Sequence, residues 1–292
     1  MPTESDSAAT AETFGDLSPR TGTIPTMRDV LGVGRTAQVL ADKDGAVVKL
    51  FFDWVPIQLI DAEERATAAA VAASAPAPRL LGRVERENRA GLVLERVDGP
   101  SMLAELTAHP WQILTLATRL ARLQADIHAC AGVRLPVLRE RLRSRIELAA
   151  ELSGRARDWS LARLDTLPDG DHLLHGDLHP DNVILATRGA VAIDWMAAAR
   201  GDSAADAART ALILELGAPP PGISETRRVL IAAGRRAFRA RWLEAYVRAS
   251  MVRPADITAW RPVVAAARLG DNIHEEKRRL CAIVESAAAA DS

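Results

Sequence analysis

Three side chains in one segment of the chain have the types and spacing needed to handle phosphate and a divalent metal. Asp177 and Asn182 lie five positions apart, and Asp194 follows the next apolar run. An aspartate can orient and deprotonate a hydroxyl group, whereas an asparagine and a second aspartate can hold magnesium through hard oxygen ligands. The alternative is a polar loop that happens to be rich in histidine and aspartate.

The runs that flank these residues predict a β-hairpin that would position two of them. Residues 183–185 and 191–193 are short apolar stretches separated by a turn. Pairing of the two strands would bring Asn182 and Asp194 close together, because these residues flank the strands. Residues 175–182 also have the form His-x-Asp, four residues and then Asn, which is the form of kinase catalytic loops.

An upstream hairpin could contact a nucleotide. Gly32 and Gly34 lie in a turn between two strand-like runs, and glycines let backbone N–H groups approach phosphates closely. Lys49 lies on the last strand of this region, where its ammonium group could reach a phosphate oxygen. Ala37 stands where a third glycine would complete the G-x-G-x-x-G pattern, so an ordinary hairpin with a solvent-facing lysine is the alternative.

An alanine-rich helix predicted over residues 57–74 carries carboxylates near its start that could hold Lys49 in place. Glu64 is the preferred partner and Glu63 the reserve, because the sequence does not fix the phase of the helix. Acidic residues also stabilise a helix N-terminus by themselves, which explains one of the two equally well.

The chain changes character after an apolar strand that runs into Gly99 and Pro100. Backbone groups from Glu95 to Val97 could contact a flat base at this linker. Beyond it, the patterns are mainly helical. The expected division is a disordered tail over 1–25, a strand-rich nucleotide-binding lobe over 26–97, and a helical lobe with the catalytic loop and acceptor site over 98–292.

Composition excludes several classes of protein. The chain has 292 residues with 48% hydrophobic and 26% charged residues and a formal net charge of −1, which gives no argument for nucleic acid or an anionic membrane surface. No run approaches the roughly 18 uncharged apolar residues of a membrane span, and the N-terminus lacks the pattern of a secretory signal. We therefore expect a cytoplasmic protein without nucleic-acid or membrane partners.

Two charged groups in the second half of the chain are interpreted as solvent-facing. The first is the arginine-rich face of an amphipathic helix predicted over 136–152, formed by Arg139, Arg141, Arg143 and Arg145. The second is a polar group at a helix start, for which an acceptor site is the alternative role, formed by Asp271, Asn272, Glu275 and Glu276.

In this order, the motifs resemble the aminoglycoside phosphotransferase and choline kinase family, which is related to the protein kinases. The resemblance covers about residues 27–285. It implies an α+β, bilobal protein-kinase-like fold, with a small antiparallel-sheet N-lobe, a mainly helical C-lobe and ATP bound between them. The motifs that carry it are the glycine-rich hairpin with Lys49, Ala75-Pro76-Ala77-Pro78, Leu92 to Gly99, His175 to Asn182, and Ile193-Asp194-Trp195 through Gly201-Asp202 and Asp206.

The resemblance also implies a role for each matching residue. Lys49 would hold the α- and β-phosphates of ATP and pair with Glu64. Asp177 would be the catalytic base, and Asn182 and Asp194 would coordinate Mg²⁺. Supporting roles would fall to His175, Asp202 and Asp206.

The expected activity is transfer of the γ-phosphate of ATP to a hydroxyl group of a small molecule whose identity stays open, as do ATP versus GTP preference and oligomeric state. Residues 221–292 hold 13 Lys and Arg against 8 Asp and Glu, which weighs against a polycationic antibiotic as the acceptor. The alternative is a catalytically silent, kinase-like nucleotide-binding protein. Ala37 and the undecided partner of Lys49 support that alternative.

Overall fold

Valine- and leucine-rich runs in the first third of the chain form one sheet in the computed structural model, which describes residues 20–21, 30–217, 222 and 224–291. The strands are β1 (Arg20–Thr21), β2 (Val30–Val33), β3 (Ala37–Ala41), β4 (Ala46–Phe51), β5 (Leu80–Arg86) and β6 (Arg89–Glu95). Their order is β1-β5-β6-β4-β3-β2; the pairs among β2 to β6 are antiparallel, and β1 is parallel to β5.

The position of β4 inside this sheet places Lys49 in the interior of the molecule. Lys49 lies opposite Val39 on β3 and Leu92 on β6. Helix α1 (Ile57–Ala72) covers the sheet, and Ile60 packs into the cluster that contains Leu92. Because apolar side chains line both the strand and the helix, the one lysine among them can be buried only with charged partners.

The prediction of a disordered tail over residues 1–25 can be compared with the structure only at β1, because the rest of that segment lies outside the described residues. Arg20 and Thr21 pair in parallel with Val84 and Glu85 of β5. These two residues are the described part of that segment, and the division placed at residue 25 stays a prediction. The sheet ends at Glu95, and the boundary placed after residue 97 stays a prediction.

The remainder of the described chain is mainly helical, with two small strand pairs. The strands are β7 (His172–Leu174), which pairs with β10 (Ala199–Gly201), and β8 (Val183–Ala186), which pairs with β9 (Gly189–Ala192). The helices are α2 (Met102–Ala108), α3 (Ile113–His128), α4 (Leu138–Glu147), α5 (Gly154–Thr166), α6 (Ser203–Leu216), α7 (Glu225–Ala249), α8 (Pro254–Arg268) and α9 (His274–Ala290).

Helical periodicity builds the core of this half. Buried residues on α3 recur at intervals of three and four, as at Leu116, Leu120 and Leu123, and this stripe packs into one cluster with Trp242 of α7. Residues 263–267 of α8 are all buried, because small and β-branched side chains let neighbouring helices approach closely. The expected α+β bilobal fold, with an antiparallel-sheet lobe and a helical lobe, is confirmed. Among the described helices, none is long and apolar enough to span a membrane.

The arginine-rich face of α4 is not a solvated face. Arg139 donates to the carbonyl oxygens of Leu164 and, at 2.5 Å, Leu167, at the C-terminal end of α5. Arg141 donates to the carbonyls of Ala197 and Ala198, the latter at 3.0 Å. For Arg139 and Arg141 the solvent-facing interpretation is wrong, because carbonyl groups at helix ends and in buried loops need donors and these guanidinium groups provide them, whereas Arg143 pairs with the exposed Asp165.

The polar group at the start of α9 is likewise committed to internal pairs. Glu276 is buried and forms two hydrogen bonds, of 2.7 and 2.9 Å, with the buried guanidinium of Arg268. Asp271 accepts from Arg209 at 2.8 Å and also from Arg145. The solvated helix start does not describe these two carboxylates, whereas Asn272 and Glu275 are exposed.

We expect Glu276→Ala to lower the free energy of unfolding by about 3 kcal/mol, because the change leaves the buried Arg268 guanidinium without its bidentate partner. Chemical denaturation followed by circular dichroism measures this change. Glu275→Ala is the matched control, because Glu275 is exposed on the same helix turn, and its effect should stay below about 0.5 kcal/mol. Equal effects of the two substitutions would contradict this assignment.

Candidate active site

Lys49 joins three separate elements through its charge. Its Nζ lies 2.5 Å from Oε1 of Glu63 on α1 and 3.1 Å from Oδ1 of Asp194, which follows β9. The lysine side chain is only 11% exposed, so the solvent-facing alternative is wrong. Burial by itself lowers the pKa of Lys49, but the charges of Glu63 and Asp194 outweigh burial and raise the pKa above its ordinary value.

The partner of Lys49 on α1 is Glu63, so the expectation for Glu64 is wrong. The phase of α1 is set by the buried residues Ile60 and Ala70, and Glu63 lies on the same buried face. Glu64 does not pair with Lys49; it accepts a hydrogen bond of 3.1 Å from Arg83 on β5. Adjacent helix residues differ by about 100° in direction, so only one of the two glutamates can face Lys49.

Burial of Glu63 has a second consequence. Its Oε2 atom is buried and has no hydrogen-bond partner among the described residues. Burial raises the pKa of Glu63 to about 7, although the neighbouring ammonium group of Lys49 opposes that rise.

The hairpin of β8 and β9 brings Asn182 and Asp194 together, as the sequence predicts. Val183 is paired with Ala192, and the N–H of Ile193 donates to the carbonyl of Asn182 at 2.9 Å. Asp194 itself has φ 64° and ψ 72°, a left-handed conformation that few non-glycine residues adopt. Strain of this kind is commonly maintained at functional sites.

The carboxylate of Asp177 is surrounded by donors and cationic groups. Asn182 donates through Nδ2 to the backbone carbonyl of Asp177 at 2.9 Å and approaches its Oδ2 at 3.4 Å. His179 Nε2 lies 3.6 Å from Oδ2, and Arg209 Nη2 lies 3.9 Å from Oδ1. Burial raises the pKa of Asp177, but the neighbouring imidazole of His179 and the charge of Arg209 outweigh it and hold the pKa well below its usual range.

His175 links the catalytic loop to the end of the hairpin. The ring is fully buried; its Nε2 donates to the carbonyl of Ile193 at 3.0 Å, and its Nδ1 accepts from the N–H of Asp177 at 3.3 Å. This arrangement is that of a neutral imidazole, and burial lowers the pKa of His175. Gly176 follows with φ 79°, and a side chain there would overlap the carbonyl of Ala197.

Asp206 accepts a backbone hydrogen bond from the loop of residues 175–182, as expected from the sequence. Its Oδ1 accepts from the N–H of Gly176 at 2.8 Å, and its Oδ2 lies 3.0 Å from His128 Nε2 and 3.2 Å from Gln124 Nε2. Asp202 caps α6 by accepting from the N–H of Ala204 at 2.7 Å. Burial raises the pKa of Asp206, but the hydrogen bond and charge of His128 outweigh it, so the net shift is downward.

The sequence analysis missed Arg209. Its Nε donates to the carbonyl of Gly176, its Nη2 donates to Asp271 at 2.8 Å, and it lies beside Asp177. The available signal was helical spacing, because Arg209 is three positions after Asp206 and therefore shares its face of α6. The same face thus supplies an acceptor and a donor to the catalytic loop.

The two glycines and the linker differ in their backbone surroundings: Gly32 lies in β2, Gly34 follows that strand, and β6 ends at Glu95. A Cβ at Gly32 would meet no atom within 4 Å, and one at Gly34 would meet only the Ala37 carbonyl at 3.6 Å, so packing does not require either glycine. The N–H of Glu95 donates to the backbone carbonyl of Arg79 at 2.8 Å. Within the described residues, the N–H of Val97 makes no backbone hydrogen bond, which leaves it available to a base.

The oxygen donors of the site fit a magnesium ion that arrives with a nucleotide. Among the described residues, no group of three or more His, Cys, Asp or Glu side chains is arranged to hold a metal alone. Asn182 uses its Nδ2 on Asp177, which leaves Oδ1 for a ligand role, and Asp194 uses one oxygen on Lys49. Magnesium is typically held by one or two protein oxygens together with substrate phosphates and water.

Comparison with protein families gives one match that spans most of the chain. The family model APH, described as the phosphotransferase enzyme family, matches residues 32–263. This range contains Lys49, Glu63, Asp177, Asn182 and Asp194.

Solved structures share the fold at low sequence identity. A choline/ethanolamine kinase family protein from Mesorhizobium loti is 14% identical, with a TM-score of 0.55 over 89% of this chain and 86% of that chain. A thermostable mutant of aminoglycoside phosphotransferase APH(4)-Ia, in ternary complex with ADP and hygromycin B, is 15% identical, with a TM-score of 0.57 over 89% and 92%.

A third structure is the amicoumacin kinase hAmiN in complex with AMP-PNP, Ca²⁺ and Ami. It is 12% identical, with a TM-score of 0.55 over 91% of this chain and 90% of that chain. At such identities the likeness concerns the fold, and the chemistry must be argued from the residues of this chain.

We expect the contribution of His175 to the free energy of unfolding to decline as the pH falls. Its folded-state pKa lies below the unfolded value of about 6.5, so the unfolded state binds more protons below that pH. The stabilising effect of the neutral ring is therefore complete above about pH 7 and declines as the pH falls. The stability difference between wild type and His175→Gln should shrink by at most about 1.4 kcal/mol per pH unit below pH 6.5.

Denaturation of both proteins between pH 5 and 8.5 measures this difference. Comparing the two proteins is necessary because the raised pKa of Glu63 changes stability in the opposite sense over the same range. The curves should run parallel above pH 7.5, which serves as the internal control. A difference that grows as the pH falls would contradict the assignment of a buried neutral ring.

Proposed function

Because the chain belongs to the phosphotransferase enzyme family, we propose that it transfers the γ-phosphoryl group of ATP to a hydroxyl group of a small molecule. The observation that carries the proposal is the convergence of four side chains: Lys49 contacts Asp194, the backbone next to Asp194 bonds to Asn182, and Asn182 bonds to Asp177. The solved relatives crystallised with ADP and hygromycin B, or with AMP-PNP and Ami, act as precedents for a small-molecule acceptor.

Lys49 is suited to hold nucleotide phosphates. Its pKa is raised, so it is an ammonium ion at neutral pH, and Glu63 fixes its direction from the opposite side. The ammonium group would contact the α- and β-phosphates, and the unoccupied space beside Gly32 and Gly34 would leave room for the phosphate chain. The free N–H of Val97 would contact the base.

Asn182 and Asp194 would hold Mg²⁺ through one amide oxygen and one carboxylate. Bound Mg²⁺ would neutralise charge on the phosphates during transfer. The hydrogen bond between Ile193 and Asn182 fixes the relative position of the two ligands, and the Lys49 contact orients Asp194. These residues are therefore preorganised before a nucleotide arrives.

Asp177 would act as the base that orients the acceptor hydroxyl. Its low pKa makes it a weak base in the ground state, which suits a loose transition state in which the hydroxyl proton leaves late. Asn182, His179 and Arg209 hold the carboxylate from three sides, so its remaining contact can be made with the acceptor. Positioning, rather than strong basicity, is the contribution we assign to it.

The acceptor we infer is not a polycation. The groups nearest Asp177 are His179 and Arg209, and the neighbouring carboxylates of Asp271 and Glu276 are already paired with arginines. A polycationic antibiotic needs unpaired carboxylates to replace its hydration, and Asp271 and Glu276 do not supply them. A neutral or anionic hydroxyl compound fits these charges better.

We expect Glu63→Gln to raise the dissociation constant for Mg·ATP by about tenfold, equivalent to about 1.4 kcal/mol, because Lys49 loses the carboxylate that directs it. Glu64→Gln is the matched control and should change the constant less than about twofold. Isothermal titration calorimetry with a non-hydrolysable ATP analogue measures both. A stronger effect at Glu64 than at Glu63 would show that the pairing seen here does not support nucleotide binding.

We expect Asp177→Asn to reduce phosphoryl transfer by on the order of 10³-fold while nucleotide affinity stays within about threefold. The measurement is Mg²⁺-dependent ADP release with a panel of neutral, anionic and cationic hydroxyl compounds. Asp181→Asn, an exposed aspartate of the same loop, is the control and should retain turnover.

Normal turnover by the Asp177 variant on the best acceptor would refute its role as base. Binding of Mg·ATP by the wild type without turnover on any acceptor would instead favour the catalytically silent nucleotide-binding protein. Preference for a polycationic acceptor would contradict the inferred class of acceptor but not the proposed phosphoryl transfer.

A further inference from the structure

A cavity of about 620 Å³ lies against the β8–β9 hairpin, and Lys49, Asp177 and Asp194, which the proposed transfer uses, do not line it. Its walls come from the loop before β5, from α3 and from the hairpin. Its volume is in the range of ordinary small-molecule sites. Apart from Glu95, which also belongs to the linker strand, the cavity shares no lining residue with the site described above.

Four arginines from three different elements converge on this cavity. Arg79 precedes β5, Arg119 and Arg122 lie one turn apart on α3, and Arg188 lies in the turn of the hairpin. The carboxylates that line it are Glu95 and Asp126. The lining therefore carries a formal excess of positive charge.

The only lining carboxylate in close ion pairs is Glu95, as far as the described residues extend. Its Oε1 lies 2.6 Å from Arg188, and its Oε2 lies 3.3 Å from Arg79. Within the described part of the chain, Arg119 and Arg122 form no close ion pair, although the charge of Arg122 acts on Asp126, one turn further along α3, and partly opposes the burial that raises the pKa of Asp126. Two guanidinium groups on one helix face are thus left with their hydrogen-bond donors directed to solvent or to a ligand.

The cavity also has an apolar component. Ala75, Pro76, Leu123 and Val191 contribute to its lining beside the arginines. Arg119 and Arg122 further line an adjoining groove between α3 and α7, so space continues beyond the first cavity. A concave site with convergent guanidinium groups and apolar walls fits a small organic anion better than a flat macromolecular surface.

We propose that this cavity is a second binding site, for a small organic molecule that carries two or more phosphate or carboxylate groups. Arg119 and Arg122 bind one anionic group through their free donors. Arg79 and Arg188 bind a second group in competition with Glu95. Because Glu95 ends the strand that leads to Val97, occupancy of the cavity also reaches the linker beside the proposed nucleotide site.

Inorganic pyrophosphate and citrate are the probes that test this site, in metal-free buffer at low ionic strength by titration calorimetry. The wild type should bind at least one of them, and Arg119→Ala/Arg122→Ala should weaken that binding at least about tenfold. Arg227→Ala/Arg278→Ala, which removes the same charge from exposed positions on α7 and α9, should change it less than about twofold. Stronger binding of pyrophosphate assigns a phosphate ligand, and stronger binding of citrate assigns a carboxylate ligand.

Lys49→Met separates this site from the proposed nucleotide site. Binding in the cavity should survive that substitution, whereas binding of the probes in the nucleotide site should not. Arg188→Ala, on a different element, provides a second test and should weaken binding at least about threefold. Thermal unfolding confirms that each variant is folded.

Three results would overturn the proposal: no probe binding by the wild type, equal losses in the two double variants, or loss of binding in Lys49→Met alone. None of these results bears on phosphoryl transfer, because no step of the experiment needs turnover.

Discussion

The contact of Lys49 with both Glu63 and Asp194 is the constraint on which the arrangement of the site depends. A buried ammonium group is tolerated only when its charge is matched, so the interior position of β4 forces two carboxylates to meet it. Glu63 comes from α1 and Asp194 from the end of the β8–β9 hairpin. One charge thereby fixes the sheet, its covering helix and the catalytic hairpin relative to one another.

A second set of polar contacts holds the catalytic loop at its other end. Asp206 accepts from the N–H of Gly176, and Arg209 on the same helix face donates to the carbonyl of that residue. His175 then joins the loop to Ile193, next to Asp194. The loop is therefore fixed by donors and acceptors from α6 and the hairpin, which keeps Asp177 in place without a contact from the substrate.

Several arginines make internal hydrogen bonds and ion pairs in the helical half. Arg141 and Arg139 satisfy carbonyl groups, and Arg268 pairs with Glu276 inside the core. Pairing removes carboxylates from the surface near Asp177, which shapes the inferred acceptor class. At the cavity behind the hairpin, by contrast, Arg119 and Arg122 keep their donors free.

By itself, the sequence determined the bilobal fold and the grouping of Asp177, Asn182 and Asp194, because these residues are joined by a short loop and a hairpin whose register is set by two apolar runs. Local spacing suffices for such contacts. The choice of Glu63 rather than Glu64 as the partner of Lys49 was decided only by tertiary packing, since the phase of α1 depends on which of its faces meets the sheet. Contacts such as Arg145 with Asp271, 126 residues apart, likewise have no local signature, because an arginine on a helix face reads as solvated until the fold supplies its partner.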